Sequence, residues 1–214
     1  QLYVPVSTNA ELNALDGYGY LTKDLKLGGA QTRKKNAAIC LNGHTVTAKE
    51  NARIFTTDTN NKITFTIQDC TAYTDAEGVY HAGKLVGGAN KDSGGALLIV
   101  AGSTFQLEGG ILTGNTCLAA GGAVQVKGGT FNMTGGQISD NKPVNADGEV
   151  LNAGAILIAE GGVFNLSGGK ISGNEAANGG AVYVAKGTMN MSGGELCGNK
   201  AGVNGGAIYV AANG

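Results

Sequence analysis

Tryptophan is absent from this 214-residue chain, and proline and arginine occur twice each, as Pro5, Pro143, Arg33 and Arg53. Charged residues are only 14% of the total, and 15 basic against 16 acidic side chains leave a net charge of −1. Without a basic stripe, no nucleic-acid partner is expected. The longest apolar run, ALLIVA at 96–101, is far short of the ~20 residues of a membrane-crossing helix, so no membrane insertion is expected. The shortage of proline and the lack of a G-X-Y period exclude collagen. Four cysteines, Cys40, Cys70, Cys117 and Cys197, show no C-x-x-C spacing, which leaves a structural zinc site unsupported. Free buried thiols and a single disulfide both fit their scatter, with Cys40–Cys70 the best candidate pair.

Glycine, in contrast, accounts for 38 residues, about 18% against a usual ~7%. A hydrophobic share of 42% argues against low-complexity disorder. Helical bundles are disfavoured too, because each interior glycine costs a helix ~1 kcal/mol relative to alanine. The chain needs tight bends at regular places.

Those places are set by a repeat. GGALLIVAGSTFQLEGGILTGN (94–115) is followed by GGAVQVKGGTFNMTGGQISDN (121–141), AGAILIAEGGVFNLSGGKISGN (153–174), GGAVYVAKGTMNMSGGELCGN (179–199) and a partial GGAIYVAANG (205–214). The steps are 27, 32, 26 and 26 residues, and the long one contains PVNADGEVLN (143–152), expected to project as a loop. Each unit holds three short runs in the two-residue rhythm of a strand. The first places Val124, Val126, Ile156, Ile158, Val182, Val184, Ile208 and Val210 on one face. The second aligns Phe105, Phe131, Phe164 and Met189, with Leu107, Met133, Leu166 and Met191 two residues on. The third aligns Leu112, Ile138, Ile171 and Leu196. Asn115, Asn141, Asn174 and Asn199 recur at the third bend, where asparagine tolerates left-handed backbone and its amide can bond to its copy in the next turn.

Three strands per ~26 residues predict an all-β fold, a parallel β-helix whose coils are stabilised by stacking on one another. The earlier residues read as irregular coils: AAICLNGHTVTA (37–48) as strand, bend, strand; ITFTIQDC (63–70) as a second run; GKLVGG (83–88) as a third. Between the last two, TAYTDAEGVYHA (71–82) is an insertion. Thr8 and Glu11 form a T-x-x-E capping box before Leu12 and Leu15, predicting a short helix that covers the open end of the coil. Residues 1–36 are therefore assigned to a cap and first strand, and 37–214 to the β-helix, irregular to 93 and regular from 94. A start at Gln1 and a last unit that stops partway lead to the expectation of a mature or excised part of a longer protein.

ICLNGHTV (39–46), ITFTIQDC (63–70) and the copies of GGTFNMTGGQISDN resemble right-handed parallel β-helix proteins of the pectin-lyase-like superfamily. The chain is more closely similar to large surface proteins of anaerobic gut Firmicutes over residues 7–214. The resemblance implies a right-handed coil on a secreted or cell-surface protein of a Gram-positive bacterium, with adhesin-like binding of a host glycan or a host protein such as an immunoglobulin. It equally brings in polysaccharide lyases and glycoside hydrolases, and a structural stalk is a third class, because one fold hosts many functions.

An enzyme needs converging groups. Residues 94–214 lack arginine, and Glu108, Asp140, Asp147, Glu149, Glu160, Glu175 and Glu195 fall in different columns of the repeat. Asp58, Asp69, Asp75, Glu77 and Asp92 are unpaired in sequence, and His44 and His81 offer no Ser/His/Asp arrangement. No catalytic residue is assigned. No metal or cofactor is expected either: the G-G-x-G-x-D repeat is missing, and NADGE (145–149) lacks a calcium-loop ladder of acids. The sequons at Asn132, Asn165 and Asn190 share one repeat column, so the repeat explains all three.

The outward columns remain. On the second run they read Thr104, Thr130, Val163, Thr188; Gln106, Asn132, Asn165, Asn190; and Glu108, Thr134, Ser167, Ser192, a flat polar face of good β-formers. The first run presents Leu98, Gln125, Leu157, Tyr183 and Tyr209, flanked by Ala96, Ala123, Ala155, Ala181 and Ala207. Neighbours in a parallel sheet stand ~4.8 Å apart, so Tyr183 and Tyr209 are expected to be adjacent. An exposed apolar strip with tyrosines is the candidate ligand-binding site.

Overall fold

The computed structural model describes residues 2–212 and 214. Among these residues the fold is all-β, with three long parallel sheets of eight, seven and seven strands and one short helix. Successive units add one strand to each sheet in the same cyclic order, giving a solenoid-like stack. The first-run sheet gains Leu97–Val100, Val124–Lys127, Ile156–Ala159, Val182–Val184 and Ile208–Val210 in register. The second-run sheet gains Thr104–Leu107, Thr130–Met133, Gly162–Leu166 and Gly187–Met191. The third gains Ile111–Thr113, Gln137–Ser139, Lys170–Ser172 and Glu195–Cys197. Four strands already precede residue 37: Val4–Val6 and Gly17–Leu21 pair with each other in the second sheet, and Leu25–Lys26 and Gln31–Arg33 join the third and first.

One apolar cluster is shared by all three sheets and runs from Val6 to Val184. Its spine is a column of rings. Phe55, Phe65, Phe105, Phe131 and Phe164 follow one another at centroid distances of 5.0, 5.8, 5.5 and 4.9 Å, within the range of favourable aromatic pairs.

The asparagine column lies inside this stack. Asn115, Asn141 and Asn174 are buried, and their amides form a one-way ladder. Each Nδ2 donates to the Oδ1 of the next asparagine at 2.9–3.0 Å, through Asn141, Asn174 and Asn199. The same Oδ1 accepts the backbone N–H of the preceding asparagine. A second bond from Nδ2 reaches a carbonyl one coil back, at Leu85, Leu112, Ile138 or Ile171. The left-handed backbone expected of these asparagines belongs instead to the residue before each: Gly114, Asp140, Gly173 and Gly198 have φ of 57–65°. The turn thus needs its positive φ one position earlier, which frees asparagine to point inward.

The glycine pairs have two separate causes. The first position of the pair is left-handed at Gly94, Gly121, Gly179 and Gly205, and Ala153 occupies it at φ 61°. At the second position a Cβ on Gly95, Gly122, Gly154 or Gly180 would collide with the carbonyl oxygen of the corresponding glycine one coil on.

The expected short helix is Asn9–Ala14. Thr8 accepts from the Glu11 N–H, and Glu11 reaches back to the Thr8 N–H, completing the capping box. Leu12 and Leu15 sink into the core. The guanidinium of Arg33, itself 1% exposed, donates to the carbonyls of Leu12, Asn13 and Leu15 and lies 5.0 Å from the Phe65 ring centroid. Burial pushes its pKa down. These carbonyls belong to the end of the helix, where the chain itself supplies one donor, the Leu15 N–H, and that to Leu12 alone. Cys40 and Cys70 are joined with Cα atoms 6.0 Å apart, while Cys117 is buried and free.

Candidate functional site

The five outward residues of the first sheet stand in one column. Leu98 pairs with Gln125, Gln125 with Leu157, Leu157 with Tyr183, and Tyr183 with Tyr209. The two tyrosine rings are 5.1 Å apart and tilted by 36°. Four of the five are half-buried and Leu157 is 8% exposed. At the start of the column Leu98, Val100, Ala101, Thr59, Lys127 and Glu160 line a depression of about 320 Å³.

The flanking alanines do not belong to this strip. Ala96, Ala123, Ala155 and Ala181 are fully buried members of the core cluster. The N–H groups of Ala96 and Leu97 both donate to the Ala123 carbonyl, and those of Ala123 and Val124 both to Ala155. Two successive donors on one acceptor break the two-residue alternation, so alanine and its successor both face inward. The corner also shoulders against the strip: a Cβ on Gly121 would press on Leu157. The column is therefore narrower and less exposed than the alternation alone implies.

On the second sheet the outward amides satisfy one another. Asn165 donates to Asn132 and Asn190 to Asn165, both at 2.8 Å, and Thr66 donates to Gln106 at 3.0 Å.

The acids in the first half are divided among separate hydrogen-bond sets. Asp69 accepts from the N–H groups of Gly43, Gly83 and Thr71, which ties down the base of the insertion. Asp24 accepts from Thr45 N–H and faces His44 at 3.3 Å; these bonds hold its carboxyl below the usual range. Asp75 lies 2.7 Å from His81 Nε2 and accepts from Val79 N–H; the His81 bond is the main cause of its lowered pKa. Among the described residues, no three His, Cys, Asp or Glu side chains gather as a metal site. No helix there is long and apolar enough to cross a membrane.

No family model, curated protein or solved structure matches the chain.

The inserted segment 71–82 gives one surface that the repeat does not explain. Tyr73–Thr74 and Tyr80–His81 pair antiparallel, so the insertion is a small hairpin. Tyr73 stacks on His81 at 4.7 Å and 13°, and the Tyr80 hydroxyl accepts from Gly110 N–H at 3.4 Å. The hairpin thereby lies over the outer face of the third sheet, where Ile111 is 7% exposed. The signal was present in the sequence as two of seven tyrosines and one of two histidines within twelve residues. The hairpin's direction along the sheet is a tertiary fact that no local pattern encodes. The other insertion, around 143–152, also closes as a hairpin, through a bridge between Val144 and Val150.

Proposed function

We propose that this chain is a non-catalytic binding module built on a right-handed parallel β-helix, with the helix Asn9–Ala14 covering one end of the coil. Its place is on a secreted or cell-surface protein, and its partner is a host glycan or a host protein such as an immunoglobulin. The observation that carries the reading is the Tyr183–Tyr209 pair. Two rings 5.1 Å apart on the outer face of the sheet, continued by Leu157 and, past Gln125, by Leu98, form a preorganised and mainly apolar strip. Tyrosine offers a large contact area with a polar tip at a small cost in side-chain entropy. Rigid placement lowers the ordering cost of binding.

Replacing both tyrosines by alanine is expected to weaken partner binding at least tenfold, about 1.4 kcal/mol or more. The coil is expected to stay folded, because both rings lie outside the apolar core cluster. The measurement is capture of glycans and serum proteins by the intact chain and by the double variant, with circular dichroism as the folding control. Equal capture by both proteins would remove this strip from consideration.

A further inference from the structure

The hairpin of residues 71–82 encloses a cleft that the tyrosine strip does not share. Its base is fixed beside Gly83 by Asp69, and its tip reaches along the third sheet over later coils. Between tip and sheet lies an open cleft of about 500 Å³, within the size range of small-molecule sites. Thr74, Val79 and Tyr80 form the roof, and Gln137, Lys170 and Glu195 stand on the floor. The floor residues occupy one outward column, Gln137 paired with Lys170 and Lys170 with Glu195. Gly136 and Gly169 also line the floor and carry no side chain into the cleft. Both are left-handed and closely packed, so the opening there follows from the bends of the coil itself.

The chemistry of the two walls differs. The roof offers an apolar surface, with Val79 52% exposed beside the Tyr80 ring. The floor offers an amide, an ammonium and a carboxylate, that is, donors and acceptors together. Lys170 and Glu195 already form an ion pair at 3.5 Å. An anionic or cationic ligand would meet a like charge on one member of that pair, whereas a neutral ligand with many hydroxyls can bond to both members at once. A pyranose ring matches both walls, having an apolar C–H face and a hydroxyl edge.

We propose that this cleft binds a neutral saccharide, with the ring face against Val79 and Tyr80 and the hydroxyls on Gln137, Lys170 and Glu195.

The test is a titration of the intact chain, followed by NMR, with glucose, galactose, N-acetylglucosamine and their disaccharides, and with trialanine as a peptide control. At least one sugar is expected to shift the resonances of Val79, Tyr80 and the Gln137 side-chain amide. Val79→Asp and Gln137→Leu, both at surface positions, are expected to weaken that binding about tenfold, while Tyr183→Ala with Tyr209→Ala leaves it unchanged. The proposal is overturned if no sugar of the panel moves these resonances at millimolar concentration. Shifts confined to another face, or produced by trialanine alone, would overturn it equally.

Discussion

Arg33→Ala is expected to destabilise the fold by about 4–5 kcal/mol. The side chain is fully buried, so truncation leaves a void among Phe65, Leu12 and Leu15. It also strips donors from the carbonyls of Leu12, Asn13 and Leu15. A buried carbonyl without a partner costs about 1–3 kcal/mol. Arg33→Met separates the two terms, since it refills much of the volume and supplies no donor. Urea unfolding of the three proteins is the check. Losses of about 4–5 kcal/mol for alanine and about half that for methionine are expected. A loss below about 1 kcal/mol for Arg33→Ala would mean that the helix end is satisfied in some other way.

Asn141→Ala is expected to cost about 3–5 kcal/mol. Asn141 is buried within the ladder, and its Oδ1 accepts both the backbone N–H and the Nδ2 of Asn115. Its own Nδ2 serves the carbonyls of Leu112 and Ser139 as well as Asn174. Removing the amide leaves groups on two coils unpaired where water does not reach. The same change at Asn199, which is half-buried at the end of the ladder, is expected to cost only about 1 kcal/mol. Thermal unfolding of both variants checks this gradient. Equal losses at the two positions would contradict a ladder whose value depends on burial.

Both residues also show what the sequence discloses. The strands and their order were legible because glycine pairs and asparagines recur at fixed places, and register follows from aligning the copies. The bonding of each asparagine amide to its copy was legible for the same reason, while the left-handed turn falls one residue before the asparagine, since Gly114, Asp140, Gly173 and Gly198 share a conformation without sharing a side chain. The alanine column was misplaced because alternation assumes a straight strand, and the corner at Ala96 and its copies is a point where two amides share one acceptor. Nothing in the sequence marks Arg33, because its partners are backbone carbonyls some twenty residues away. The tyrosine pair followed from register alone, whereas the cleft under residues 71–82 depends on the direction of a hairpin and was out of reach.

Proposed binding on outer columns rests on one physical claim, that the coils are interchangeable rungs of a closed solenoid. Deleting residues 179–204 tests it most directly. The cut joins Asn178 to Gly205, so that GGAIYV takes the place of GGAVYV on Ile156–Ala159. Stability in such a stack is a sum over neighbouring repeats. The shortened chain is expected to unfold cooperatively, to keep the β spectrum of the parent, and to bring Tyr209 beside Leu157. Loss of cooperative unfolding, or a disordered spectrum, would contradict the account.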